Sequence, residues 1–256
     1  MGKQTGISWT DHTWNPWQGC RPVSPGCANC YMYREKRRYG QDPATVMRSS
    51  RETFNAPLKW MDPAKVFVCS WSDFFIDNAD QWRDEAWKIM RKTPHLTFQI
   101  LTKRPENIAG RLPDGWPFPN VWIGITAENQ EMANKRIPIL LKIPAELRFV
   151  SIEPMVGPVD LTDIVSGEEG DEHHFNALFC DVDIEDDVDF GGRTVGWVIV
   201  GGETGQKART MQPEWALAVK EQCCIFGTPF FMKQMSGKKP IPEYLLKREF
   251  PGLIAE

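Results

Sequence analysis

Six short apolar runs recur along the chain at helix-length intervals, at residues 66–70, 97–101, 121–125, 148–152, 197–201 and 229–233. Each is nearly continuous in hydrophobic, β-branched and aromatic residues, the pattern of a strand buried on both faces and so of a parallel strand. Between them lie stretches of helical character. Residues 80–91 carry Trp82, Ala86, Trp87, Ile89 and Met90; residues 129–142 follow; residues 212–226 open on Pro213 and Glu214, as a first helical turn does. With a β-like run at 7–10 ahead of them, strand and helix alternate about seven times. The repetition predicts an α/β chain of βαβ units: a partial or near-closed (β/α) barrel, TIM-like, of about six to seven parallel strands, with a flat doubly wound sheet as the alternative. One such barrel uses the whole length, so residues 1–256 read as a single domain.

The net charge of −4 hides an uneven distribution. Twelve acidic residues and no Lys or Arg lie between Asp160 and Asp189, which marks 160–192 as an acidic insert after the fifth strand, where a helix is otherwise expected. The rest of the chain carries 30 basic against 22 acidic residues. A basic body is compatible with a polyanionic partner, and the insert reads as a solvated, mobile loop. No apolar run reaches membrane-spanning length and Met1-Gly2-Lys3-Gln4-Thr5 lacks a signal-peptide core, so the expected place is the cytoplasm, away from any membrane, with the seven cysteines reduced.

Three of those cysteines, Cys20, Cys27 and Cys30, fall within eleven residues. Pro16, Gly19, Pro22, Pro25 and Gly26 forbid a continuous helix or strand before Cys27, so the backbone there is a shaped loop. Residues 29–38 then read as a helix ending near Gly40, with Lys36, Arg37 and Arg38 in the last turn where they suit the dipole. A loop holding three thiols reads as a metal site of one of two kinds. One is zinc completed by a fourth residue, His12 being nearest; the other is an iron–sulfur cluster with one iron lacking a protein ligand. A structural or disulfide role is the third reading. Cys223-Cys224, in mid-helix, read as packing residues.

Polar residues stand at the carboxyl edge of each predicted strand, where a parallel barrel gathers its active site. They are Asp11; Ser70, Ser72 and Asp73; Thr102, Lys103 and Arg104; Thr126, Glu128 and Asn129; Ser151 and Glu153; Gly202, Glu203 and Thr204; and Gln234. Any one of them also suits a helix cap or a turn. Lys103, Arg104, Glu153 and Glu203 together exceed what caps require and point to a shared pocket. The glycines of Gly201-Gly202-Glu203-Thr204-Gly205 let a backbone approach a ligand closely.

Several of these strings together resemble a known family. They are Thr13-Trp14-Asn15-Pro16 with Gly19-Cys20, Val23-Ser24-Pro25-Gly26-Cys27 and Asn29-Cys30-Tyr31; then Ser72-Asp73-Phe74-Phe75, Leu101-Thr102-Lys103-Arg104-Pro105-Glu106 and Gly124-Ile125-Thr126-Ala127-Glu128-Asn129; then Arg136-Ile137-Pro138, Ser151-Ile152-Glu153-Pro154, Val200-Gly201-Gly202-Glu203-Thr204-Gly205 and Phe230-Phe231-Met232-Lys233-Gln234. In this order they resemble the phage- and mobile-element-associated three-cysteine family assigned to the radical S-adenosylmethionine superfamily. The resemblance spans nearly all of the chain except the acidic insert.

What it implies is a [4Fe–4S] cluster on Cys20, Cys27 and Cys30, whose fourth iron binds the amino and carboxylate groups of S-adenosylmethionine. An electron from the cluster then cleaves the C5′–S bond, giving methionine and a 5′-deoxyadenosyl radical that abstracts hydrogen from substrate. The cysteine spacing departs from the superfamily's usual three-then-two, with six residues between Cys20 and Cys27. The position between the last two cysteines that is commonly aromatic is Asn29 here, with Tyr31 just after as the aromatic candidate. The superfamily's glycine-rich contact is usually near strand two, whereas Gly201-Gly202-Glu203 lies near strand six. Under this resemblance Ser70, Thr126, Glu128, Ser151 and Glu153 hold the cofactor's polar groups, joined by Gly201, Gly202, Glu203 and Tyr31. Lys103, Glu153 and Glu203 are the candidate catalytic residues. Lys103, Arg104 and Lys233 neutralise a carboxylate or meet a phosphate. The electron donor implied is a flavodoxin or ferredoxin.

The basic body, Trp14 and Trp17 read as exposed, and the cations Arg34, Lys36, Arg37, Arg38, Arg48 and Arg51 fit a nucleotide or nucleic-acid substrate, with modification or repair as the reaction. In the plainer reading the tryptophans pack the barrel rim and the cations line a solvated helix face. The competing functions are a zinc-stabilised, non-enzymatic nucleic-acid-binding protein with His12 or Cys69 as fourth ligand, and a metal-dependent hydrolase using Asp73, Glu128 and Glu153.

Overall fold

In a computed structural model of the chain, residues 5–168, 170–179, 190 and 192–252 are described. In chain order the elements are β1 (His12–Trp14), β2 (Trp17–Gln18), α1 (Tyr31–Arg38), β3 (Met47–Arg48), α2 (Arg51–Phe54), β4 (Ala64–Val68), α3 (Asp80–Lys92), β5 (Leu96–Thr102), β6 (Val121–Thr126), α4 (Gln130–Lys142), β7 (Leu147–Ile152), β8 (Ile164–Ser166), β9 (His173–Phe175), β10 (Trp197–Gly201), α5 (Pro213–Ile225) and β11 (Phe230–Gln234). Seven strands form one parallel sheet in the order β1-β4-β5-β6-β7-β10-β11, so the fold class is the expected partial (β/α) barrel. No helix among the described residues is long and apolar enough to cross a membrane. The chain divides into two compact units, Met1–Gly124 with Ile143–Glu146, and Ile125–Lys142 with Leu147–Glu256.

In the first unit β4 is the pivot. It pairs with β1, His12 opposite Val66, and with β5, Val68 opposite Ile100. The expected first strand at 7–10 is displaced. Strand pairing begins at His12, while Trp9 is buried with its ring 4.7 Å from that of Phe67. A bulky apolar residue beside a strand reads like a strand residue when only hydropathy is consulted. α3 buries Arg83, Ala86, Trp87, Ile89 and Met90, a spacing that holds one helical face inward. Arg83 is tolerated there because its guanidinium donates to the carbonyls of Phe74 and Ile76, at 3.0 and 2.7 Å. Trp14 and Trp17, exposed in one sequence reading and packed in the plainer one, are 1% and 0% exposed. Their indole N–H groups donate to the carbonyls of Phe54 and Asp73, at 3.0 and 3.1 Å, and Trp17 packs on Phe74 with centroids 5.1 Å apart. Both are core residues and neither presents a face on which a base could stack.

In the second unit β10 lies between β7 and β11 and is buried along its whole length, as its unbroken apolar sequence requires. The pairing of β10 with β11 carries a bulge: Val200 stands opposite Met232, but Gly201 stands opposite Gln234, and Lys233 is the extra residue. The described part of the acidic insert forms a β8–β9 hairpin with Ile164 opposite Phe175. It lies on α4, where Asn134 Oδ1 accepts from Val165 N at 3.3 Å. The expectation of a loop without structure is corrected there, while its most acidic stretch, 180–189, lies outside the described residues.

Candidate functional site

The cysteine loop is held by residues distant in sequence. The buried Asn15 amide accepts from Trp71 N at 2.9 Å and donates to Ser70 Oγ at 3.0 Å. Gly19 N donates to the Trp71 carbonyl at 3.0 Å, and the Gly19 carbonyl accepts from Ser72 Oγ at 2.5 Å. Gly19 is there for room and for conformation. Its φ is +95°, and a Cβ would come within 2.1 Å of the Thr45 carbonyl oxygen. Cys20 N donates to the Pro43 carbonyl at 2.9 Å, and a single 3-10 turn, Pro25–Cys27, delivers Cys27 and leads to Cys30 at the mouth of α1.

Tyr33 ties α1 back to the cysteine loop. Tyr33, on the first turn of α1, donates its hydroxyl to the Cys20 carbonyl. Its pKa is pushed up to about 12, first by burial and then by Cys20, Cys30 and Cys27 in turn. Burial and then Asp73 push the Cys20 thiol up to about 11, against the pull of Arg104. Arg104 Nη1 lies 3.7 Å from Cys20 Sγ and 3.1 Å from Asp73 Oδ2, and Nη2 donates to the Arg21 carbonyl at 2.7 Å. Burial lowers the Arg104 pKa, but Asp73 and Cys20 outweigh it and leave it above its ordinary value. Asp73 is itself fixed by Phe75 N at 2.9 Å, Thr102 Oγ1 at 2.7 Å and Lys103 N at 3.0 Å. Tyr31 donates its hydroxyl to the Ser70 carbonyl, which sets that predicted cofactor residue against another.

Among the described residues, no three His, Cys, Asp or Glu side chains are gathered to hold one metal ion. A four-iron cluster takes its thiolates at separate corners of a cube, farther apart than the ligands of a single ion. Three free thiols on one short loop suit that group by donor chemistry. His12, the nearest candidate for a fourth zinc ligand, lies against Trp60 with centroids 4.7 Å apart. Cys69 is buried just after β4, with φ +62° and a thiol pushed well above its ordinary value by burial.

The other predicted site residues lie in the second unit. Glu153 Oε1 accepts from Lys233 Nζ at 2.5 Å and from Gln234 Nε2 at 3.2 Å. Successive strand residues point to opposite faces, so the bulge at Lys233 is what lets both side chains reach one carboxylate. Gly201 permits this as well, since a Cβ there would stand 3.1 Å from Glu153 Cγ and Cδ. At Gly202 a Cβ would meet Ser236 N at 2.2 Å, so that glycine serves packing against the chain itself. Ser151 stands opposite Ile199, one pleat before Glu153, and is 1% exposed with no hydrogen-bond partner for its hydroxyl.

Glu203 and Glu128 are engaged within the protein. Arg209 grips Glu203 with Nη2 at 2.6 Å and Nε at 3.0 Å, and its backbone N–H adds a third bond at 2.9 Å. Glu128 is fully buried and meets Arg136 Nη1 at 2.8 Å, while the same nitrogen donates to the Thr126 carbonyl at 2.7 Å. Tyr33, Asn15 and Arg209 were missed as site residues by sequence reasoning. The signal for Tyr33 was its place three residues after Cys30 on a helix, and for Arg209 a cation six residues after Glu203; Asn15 carried none apart from the loop.

The family described as a protein of unknown function, DUF5131, matches residues 4–248. No curated protein and no solved structure matches the chain.

Proposed function

The chain belongs to the DUF5131 family, and we propose that it is a radical S-adenosylmethionine enzyme whose [4Fe–4S] cluster is held by Cys20, Cys27 and Cys30. The observation that supports this reading is a loop carrying Cys20, Cys27 and Cys30 within eleven residues, its backbone held by Asn15, Ser72 and Gly19. When bound, the cluster and S-adenosylmethionine supply one-electron cleavage of the sulfonium to a 5′-deoxyadenosyl radical.

The protein's own residues do the holding and orienting. Asp73 and Arg104 fix the Cys20 arm, and the Tyr33 hydroxyl holds the Cys20 carbonyl. Ser151, buried with an unpartnered hydroxyl, is ready to hydrogen-bond a hydroxyl or amino group of the cofactor. Glu153, with Lys233 opposite, offers a carboxylate and an ammonium at one strand edge and is one candidate catalytic residue; Lys103, in the first unit, is another. Glu203, gripped by Arg209, holds the glycine-rich turn in place, and Gly201 and Gly202 keep that turn tight. Glu128, tied to Arg136, fixes the carbonyl of Thr126 through the same guanidinium.

The substrate proposed is a nucleotide or nucleic acid. It is supported by the excess of basic over acidic residues outside the insert and by the exposed Arg34, Arg37 and Arg38 on α1. A flavodoxin or ferredoxin is the proposed electron source and the cytoplasm the proposed compartment.

The test is anaerobic reconstitution with iron and sulfide, then addition of S-adenosylmethionine and dithionite. A brown protein with about four irons per chain that bleaches on reduction and releases 5′-deoxyadenosine is expected. A colourless protein holding about one zinc overturns the reading in favour of a zinc-stabilised binding module.

A further inference from the structure

We propose that Arg104 is a positioning residue that fixes the Cys20 arm of the three-cysteine loop and sets the charge felt at that sulfur. The inference rests on the cluster reading above and goes beyond it by giving one side chain a defined task toward the cluster.

The geometry is that of a three-way clamp. A purely structural ion pair would be complete with Asp73, which Arg104 Nη1 meets at 3.1 Å. The same nitrogen also lies 3.7 Å from Cys20 Sγ, and the second arm of the fork reaches the Arg21 carbonyl at 2.7 Å. One planar cation thus holds both the sulfur and the backbone just after it. The chain needs such a tether, because Arg21, Pro22 and Val23 beyond Cys20 are exposed. Asp73 in turn cannot yield, being bonded by Phe75 N, Thr102 Oγ1 and Lys103 N, and Thr102 Oγ1 also accepts from Arg104 N at 2.9 Å. Arg104 and Asp73 are 7% and 5% exposed, so water does little to screen that pair. A lysine has the charge but not the fork and cannot make the two arms at once.

The electrostatic consequence has a definite sign. Reduction of a cluster adds negative charge, and a cation beside a ligand sulfur favours that state. Replacing Arg104 by a neutral side chain removes the cation and also leaves the Asp73 carboxylate uncompensated beside Cys20, so reduction becomes harder. Neutralising Asp73 as well removes the second effect.

The experiment compares wild type, Arg104→Gln, Arg104→Lys and the double variant Arg104→Gln/Asp73→Asn after anaerobic reconstitution with iron and sulfide. Iron and sulfide per chain, far-ultraviolet circular dichroism, and the midpoint potential by electron paramagnetic resonance are measured. At a fixed ambient potential the ratio of reduced to oxidised cluster in Arg104→Gln is expected to fall about tenfold, about 59 mV for a one-electron couple. Iron occupancy is expected to fall too, and the double variant is expected to recover part of the potential. Arg104→Lys is expected to fold and to show a smaller shift in the same direction with reduced occupancy; it carries the test where Arg104→Gln does not fold. Wild-type potential and occupancy in whichever of the two folds overturn the role of Arg104 while leaving the cluster in place. Failure of the wild-type protein to take up iron overturns the reading beneath it instead.

Discussion

The carboxylate of Glu128 and the guanidinium of Arg136 meet at 2.8 Å with both side chains almost wholly out of water. Such a pair holds because each charge is the other's solvation, so removing one member is far worse than removing both. Arg136→Met is expected to lower unfolding stability by about 3–5 kcal/mol, and Glu128→Gln/Arg136→Met to recover much of the loss. Urea denaturation of the three proteins measures this, and equal losses in the single and double variants would contradict it.

If the proposed cluster is present, loss of one of its three thiols separates folding from chemistry. Cys27 is half-buried at the end of a 3-10 turn, with Ser24 Oγ 4.0 Å from its sulfur. Cys27→Ala is expected to keep the circular dichroism spectrum and to change stability by about 1 kcal/mol or less. Iron content and 5′-deoxyadenosine release are expected to drop to background. Full turnover by this variant would remove the cluster from the mechanism.

Alkaline stability follows from buried thiols. Burial first, and then Glu249, push the Cys223 thiol up to about 12 from an ordinary 9.0. The folded state therefore holds this proton more tightly than the unfolded chain does. Its contribution is complete below pH 9 and is lost as the pH climbs from 9 toward 12, at up to about 1.4 kcal/mol per pH unit. Cys223→Ala is expected to be less stable at pH 8, through a lost packing contact, and to show a shallower decline above pH 9. Denaturant midpoints at pH 8 and 10.5 give both slopes.

Backbone room at Gly19 is a fourth lever. An added Cβ would fall 2.1 Å from the Thr45 carbonyl, in a conformation side chains rarely adopt. Gly19→Ala is expected to cost about 1–3 kcal/mol and to reduce iron uptake more than melting temperature, because the displaced backbone carries Cys20. Iron per chain alongside calorimetry checks the order of the two effects.

The parallel sheet was legible because strands buried on both faces must be apolar throughout, and β10, Trp197–Gly201, is written that way. The edge strand β1 was not, since His12-Thr13-Trp14 is short and half polar while Trp9 nearby mimics a strand residue. For Trp14 and Trp17 the sequence left an exposed and a packed reading open, and the packed one holds, the two rings lying on Phe54, Phe98 and Phe74. The cysteines and the strand-edge acids were visible as residue types. Their partners were not. Nothing in the local sequence says that Arg104 turns to Cys20 across 84 positions, that Glu128 is consumed by Arg136, or that a bulge swings Lys233 toward Glu153.

The bonds from Asn15, Ser72, Gly19 and Pro43 that tie down the thiol loop are all made within the polypeptide. Ordering of this loop is thus completed during folding and, on the proposed cluster reading, is not charged against a later uptake of iron. Under that proposal cofactor insertion is docking into a finished seat, so purified apoprotein is expected to load without being unfolded first, at a rate set by access in place of chain rearrangement.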